Sequence, residues 1–111
     1  MIGARLTSEV WISALRKRLD SHAIPIVIAK KGDKQAGAIL IRVFDLCGSS
    51  KIFVQAPSDD CERRWLELTT GLDDEIEEVL NRQKRYDDDL WVLEVEHLNG
   101  IYFFDEFLSS N

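Results

Sequence analysis

The chain has 111 residues and a mass of 12.8 kDa, and carries 14 Lys plus Arg against 20 Asp plus Glu, a formal charge of −6 with a pI near 4.8. Apolar residues make up 45% and charged residues 31%. That balance and length suit one domain, residues 1–111, able to bury roughly two-thirds of its extended surface without covalent staples. The acidity excludes an extended phosphate-tracking surface, which demands clustered Lys and Arg, so nucleic acid is disfavoured as a partner.

Thr7 to Asp20 is predicted to be a helix, because Trp11, Ala14, Leu15 and Leu19, with Ile12 at the edge, form one stripe at helical spacing. Thr7 suits its cap, Glu9 its positive end, and Arg16, Lys17 and Arg18 its negative end. Ile24 to Lys30 is β-branched on both faces, as a central strand would be, with Pro25 tolerable only at its start. Gly32, Asp33 and Gly37 bracket a turn into a second strand, Ala38 to Phe44, where Ile39, Ile41 and Val43 share one face and Leu40, Arg42 and Phe44 the other. A turn at Cys47-Gly48-Ser49-Ser50 leads to a third strand, Lys51 to Ala56, and the three are expected to form an antiparallel meander. After the polar stretch Pro57 to Glu62, Arg64 to Thr69 reads as a fourth strand with Leu66 and Leu68 on one side.

A second helix is predicted over Asp73 to Tyr86, with Ile76, Val79, Leu80 and Gln83 facing inward. Asp74 and Glu77 have capping-box spacing, and Leu72 with Ile76 suits a hydrophobic staple. Leu90 to His97 is a strong strand signal, and Leu98-Asn99-Gly100-Ile101 has the chemistry of a two-residue hairpin. Pairing there sets His97 beside Tyr102 and Val95 beside Phe104, and puts Phe103 on the opposite face with Glu94 and Glu96. The order α-β-β-β-β-α-β-β describes an α+β domain, an antiparallel sheet of about five or six strands with two helices packed on one face.

Several strings are familiar together: Arg5-Leu6-Thr7-Ser8 with Trp11 and Ala14, Lys31-Gly32-Asp33 with Ala36-Gly37-Ala38-Ile39, Ala56-Pro57, and Arg64-Trp65. Asp87 and Asp89-Leu90-Trp91-Val92 with Glu94 and Glu96 complete the set. From about Arg5 to Phe104 the chain resembles a family of small alphaproteobacterial proteins known as domain of unknown function 1491. It departs from that pattern in carrying Lys31 where a more basic Arg-Gly-Asp is expected. The resemblance implies a free-standing bacterial cytoplasmic protein and brings no catalytic residue with it.

Cys47 and Cys61 form no Cys-x-x-Cys pair, and only His22 and His97 could join them at a metal, so neither a zinc cluster nor a disulfide framework is indicated. Glu9 interrupts the N-terminal apolar run, arguing against a signal peptide, and no stretch is long enough to span a membrane. These features point to the cytoplasm. The three lysines around Lys31, Gly32, Asp33, Lys34 and Gly37 form a basic island whose turn amides could nest an anion; alternatively the glycines serve geometry and the lysines solvation. Asp87-Asp88-Asp89 offers carboxylates for a divalent cation, but consecutive residues of an extended segment point apart, so a solvated connection is the simpler reading. Asp59, Asp60 and Glu62 are read the same way. No cofactor is expected.

The aromatic residues are in surplus. Trp11, Trp65, Trp91, Tyr102 and Phe104 can fill one core, whereas Phe44, Phe53, Phe103 and Phe107 are harder to place inside a two-layer domain. They mark either an exposed patch for a protein partner or homodimer, or rings covered by a folded-back Asp105 to Leu108. With no nucleophile signature in the chain, the sequence favours a non-enzymatic protein–protein interaction module using the face around Phe53 and Phe103, or an edge strand. A small-ligand or anion-binding regulatory domain on the Lys31–Gly37 hairpin is the alternative, and a metal-dependent hydrolase using Asp87 to Asp89 the third.

Overall fold

A computed structural model describes residues 6–55, 64–98 and 103–108. The chain runs α1 (Ser8–Asp20), β1 (Ile26–Lys30), β2 (Ile39–Phe44), β3 (Ser49–Gln55), β4 (Trp65–Leu72), α2 (Asp73–Tyr86) and β5 (Trp91–Glu96), and ends in a short π-helical turn, Phe104–Leu108. The α+β class and the first seven elements follow the expected order. No helix among the described residues is long and apolar enough to cross a membrane.

The sheet departs from the expected meander. Its order is β1-β5-β2-β3-β4, and β5 lies between β1 and β2, antiparallel to the first and parallel to the second, so the sheet is mixed. The physical reason lies in β2 and β5. Ile39, Leu40, Ile41 and Val43 on one strand and Trp91, Val92, Leu93 and Val95 on the other are buried on both faces, the pattern of interior strands with a layer on each side. β1, which alternates between half-buried and exposed residues, is left at an edge.

Two buried faces require two covers, and the helices therefore lie on opposite faces rather than on one. Ile12, Leu15 and Leu19 of α1 pack on Ile39, Ile41, Val43, Phe53, Trp65, Trp91, Leu93 and Val95. Ile76 and Leu80 of α2 pack on Leu40, Ile52, Leu90 and Val92. The expected sixth strand is not formed at Phe104, which opens the π-helical turn. Val95 pairs with Ile26 on one side and Val43 on the other, so β5 has no free edge for a hairpin partner. The expected Asn99-Gly100 turn and Tyr102 lie outside the described residues.

Helix ends follow local chemistry. The Thr7 hydroxyl accepts the Val10 N–H at the start of α1. The helix stops in paired bonds, Ile24 N–H to Leu19 O and Ala23 N–H to Asp20 O, which put Ala23 in the left-handed region at φ 57°. This is the helix stop that glycine usually occupies. In α2 the expected Asp74–Glu77 box is replaced two residues earlier: Leu72 is the N-cap residue and its N–H donates to Glu75 Oε1 at 3.0 Å. Leu72 is exposed and forms no staple.

Candidate functional site

Three of the surplus rings are buried. Phe53, Phe103 and Phe107 are 1%, 0% and 5% exposed. Phe103 sits with Phe53 and Phe107 at ring separations of 6.3 and 5.2 Å, beneath the α1 face and not with Glu94 and Glu96. The segment through Phe107 and Leu108 folds back over the sheet to seal the core beside α1, tied there by Arg18, which donates to Glu106 O at 2.6 Å and lies 5.0 Å from the Phe107 ring centre. These three rings offer no exposed docking surface. Of the two readings of these rings, cover by the folded-back segment is the one found, in a three-layer geometry that gives aromatic side chains more buried area than two layers would.

The Lys31–Gly37 segment is not a hairpin but the connection that carries the chain from β1 past the start of β5 to β2. Four of its amides are already engaged within the chain. Asp33 Oδ2 accepts from Gln35 N and Ala36 N at 3.2 and 2.9 Å, Asp33 N donates to Asp89 O at 3.0 Å, and Gly37 N donates to Asp33 O at 3.2 Å. A carboxylate of the chain itself thus occupies the cradle where a foreign anion would sit. The first turn of α1 docks on the same segment, with Ser8 N bonded to Gln35 O, Glu9 N to Lys34 O, and the Ser8 hydroxyl to Gly37 O. Trp91 Nε1 donates to Asp33 O at 2.7 Å. Gly32 and Gly37 are needed because two backbones cross there: a Cβ on either would lie 2.1 or 2.4 Å from Asp89 O. Lys31 and Lys34 are exposed, whereas Lys30 bridges the Asp88 and Leu90 carbonyls at 2.7 and 2.9 Å.

The Asp87–Asp89 run serves the same crossing. Asp87 Oδ1 accepts the Asp89 N–H at 3.0 Å, and Asp89 O receives Asp33. Among the described residues no three His, Cys, Asp or Glu side chains cluster so as to hold a metal ion. Asp59, Asp60, Cys61 and Glu62 lie outside the described residues.

Patterning missed a polar network under α2. Arg42, on β2, is almost fully buried and spends its guanidinium on Glu77 Oε1 at 2.7 Å, Asp73 O at 3.0 Å and Ser50 Oγ at 3.2 Å. Ser50 Oγ donates in turn to Asp73 Oδ1 at 2.7 Å, Glu94 lies 3.9 Å away, and Phe44 stacks 4.3 Å from the guanidinium carbon. The network clamps the first turn of α2 onto β2 and β3. Its signal in the sequence was an arginine inside an otherwise apolar strand.

With both faces covered, the sheet meets solvent at its edges. β1 is five residues long, is preceded by Pro25, ends in Lys30, and carries a bulge between Ile28 and Lys30, all devices that discourage further pairing. β4 is eight residues long, with the sequence Trp-Leu-Glu-Leu-Thr-Thr-Gly-Leu. It has one charge, Glu67, no Lys, Arg or Pro, and two leucines, Leu66 and Leu68, that are 53% and 44% exposed. Among the described residues its only strand neighbour is β3. The register shift at Phe53/Ile52 leaves Leu68 as the extra residue of a bulge, and Thr69–Leu72 continues beyond it as a regular run.

Comparison with known proteins places this architecture. A crystal structure of a DUF1491 family protein from Caulobacter crescentus matches at a TM-score of 0.75 and 30% identity, covering 86% of this chain and 89% of that one. A solution structure of a protein from A. tumefaciens matches at 0.75 and 34%, covering 84% and 86%. An NMR structure of a DUF1491 family protein from C. crescentus matches at 0.75 and 31%, covering 88% and 91%. No curated protein matches the chain. The family model described as "Protein of unknown function (DUF1491)" matches residues 6–105, nearly the stretch over which the quoted strings run, and the chain belongs to the DUF1491 family.

Proposed function

We propose that the protein is a cytoplasmic, non-enzymatic interaction module that pairs with a second copy of itself along the outer edge of β4. The observation that carries this reading is the contrast between the two sheet edges. β1 is short and guarded, whereas β4 is long, carries one charge and exposes Leu66 and Leu68. An unpaired edge presents a row of backbone donors and acceptors that a further strand satisfies. A two-fold pairing is isologous, using one patch twice. The run Thr69–Leu72 has no charge, so antiparallel self-pairing there brings no like charges together. An exposed free thiol at Cys47 suits a reducing compartment.

Sedimentation equilibrium from micromolar to millimolar protein tests the proposal, with hydrogen exchange at the β4 amides as a local readout. A dimer is expected in the wild type, with β4 protection rising with concentration. A monomer of unchanged melting temperature is expected for Leu66→Lys/Leu68→Lys. A wild type that stays monomeric into the millimolar range overturns it, as does a dimer indifferent to the double substitution.

A further inference from the structure

The terminal turn is held differently from the other elements. α1 is tied by Ser8 N–H to Gln35 O and Glu9 N–H to Lys34 O, and α2 by Asp73 N–H to Gly48 O. Phe104–Leu108 is a single π-helical turn, a rare geometry. Among the described residues no backbone hydrogen bond joins 103–108 to a strand or to α1. One side chain supplies its hydrogen bonds: Arg18 donates to Glu106 O at 2.6 Å and to Phe107 O at 3.4 Å. The rest is packing. Phe103, fully buried, roots the turn in the core, and beyond it Phe107 and Leu108 are buried while Asp105 and Glu106 face solvent.

The closed position also carries a cost. The Phe103 and Phe107 rings lie edge-on to the His97 ring, at 5.9 and 6.4 Å between centres. His97 Nδ1 is buried there and makes no hydrogen bond among the described residues. In either neutral tautomer that atom is unsatisfied, as a donor without an acceptor or an acceptor without a donor. Burying it unpaired works against closure. His97 Nε2 offers little in return, since Glu106 Oε1 is 3.9 Å away on a half-exposed side chain. Lifting Phe107 lets water reach the imidazole and relieves that cost. The sheet beneath is bound far more firmly, with β5 laddered to β1 on one side and to β2 on the other.

We propose that Phe104–Leu108 is a cover that opens as a unit, hinged after Phe103, while the sheet and both helices stay folded. Two apolar side chains and Arg18 hold it shut, and the stranded His97 nitrogen favours release. So few groups set the balance that one contact more or less shifts it. The domain thus alternates between a sealed α1 face and one that presents the seat of Phe107 and Leu108 beside the Arg18 guanidinium and the His97 ring.

Thiol labelling of the full chain tests this. In a Cys47→Ser/Cys61→Ser background, Leu108→Cys reports on the cover and Val95→Cys, on β5, reports on unfolding of the whole domain. With iodoacetamide under native conditions, the Leu108→Cys thiol should react about 100-fold faster or more, because local opening precedes global unfolding. Arg42→Ala, which weakens the seat of α2 and not the cover, should speed Val95→Cys labelling and leave Leu108→Cys labelling unchanged. Arg18→Ala should speed Leu108→Cys labelling about tenfold, the effect of losing one charge-assisted hydrogen bond. His97→Phe, which removes the stranded nitrogen and keeps a ring, should slow it. A Leu108→Cys rate that rises in step with Val95→Cys under Arg42→Ala shows that the turn opens only with the whole domain, and overturns the proposal. A rate unmoved by Arg18→Ala also overturns it, and a rate not slowed by His97→Phe overturns the part assigned to His97. The same rates are expected in Leu66→Lys/Leu68→Lys, so the outcome is separate from self-association at β4.

Discussion

Replacing Gly37 by alanine should remove a large part of the stability of this domain, although the change adds one methyl group. The new Cβ would sit 2.4 Å from Asp89 O and 2.8 and 2.9 Å from Asp33 O and N. All three are backbone atoms, so no side chain can swing aside to relieve the clash. Separating the strands of the crossing breaks Asp33 N–H to Asp89 O, Gly37 N–H to Asp33 O, and the Ser8 hydroxyl bond to Gly37 O. It also disturbs Trp91 Nε1 to Asp33 O. At about 1 kcal/mol per hydrogen bond, and more where a buried partner is stranded, the loss is about 3–5 kcal/mol. That is a large share of the roughly 5–15 kcal/mol that holds a typical domain together. Two internal comparisons isolate the mechanism. At Gly48, φ is +96° with open space around it, so alanine there incurs only the left-handed penalty, about 1 kcal/mol. At Gly71 the nearest atom is the movable Glu75 carboxylate at 3.1 Å, and alanine should be close to neutral. Urea unfolding followed by tryptophan fluorescence, with Trp91 reporting on its bond to Asp33, measures all three. A Gly37→Ala loss below 1 kcal/mol, or a Gly48→Ala loss exceeding it, would show that backbone crossing is not what fixes this glycine.

Three further outcomes follow from the packing. Arg42→Ala should destabilise by about 2–4 kcal/mol through the lost stem and the cavity left beside Phe44. Arg42→Met, which keeps the volume, should recover at least half of that, because the partly exposed Glu77, Asp73 and Glu94 carboxylates rehydrate; thermal melts compare the two. Ala23→Gly should raise stability by about 1 kcal/mol, since Ala23 occupies the left-handed helix stop. That gain reads as about 4 °C in the melting temperature, and a decrease would contradict the assigned geometry. Phe103→Ala should cost about 3–5 kcal/mol as a buried ring lost, whereas an exposed ring would give almost no change in the same denaturation curve.

Local elements were readable in the residues because each depends on neighbours in the chain. The stripe of Ile12, Leu15 and Leu19 and the charge order of α2 placed both helices to within a residue. What could not be read was adjacency. The glycines at 32 and 37 looked like hairpin punctuation because turn chemistry and close backbone crossing use the same residue. Only the position of Asp89, far along the chain, separates the two. The double-sided burial of β2 is written in Leu40 opposite Ile39 and Ile41, but Arg42 and Phe44 on the Leu40 face do not by themselves show that a helix covers that side. In the folded protein Arg42 is buried by Asp73 and Glu77 from α2.

The interior place of β5 has a consequence for how the chain reaches its native state. β2, β3, β4 and α2 are contiguous and can assemble by short-range closures, but among the described residues β1 pairs with no strand other than β5. On the ribosome, β1 and one side of β2 therefore wait unpaired until Trp91–Glu96 emerges and inserts between them. Non-local pairing of this kind slows folding and leaves sticky intermediates. The vulnerable interval is set by the synthesis of the last fifth of the chain, and substitutions in β5 should show first as loss of soluble yield, before any change in the stability of what survives.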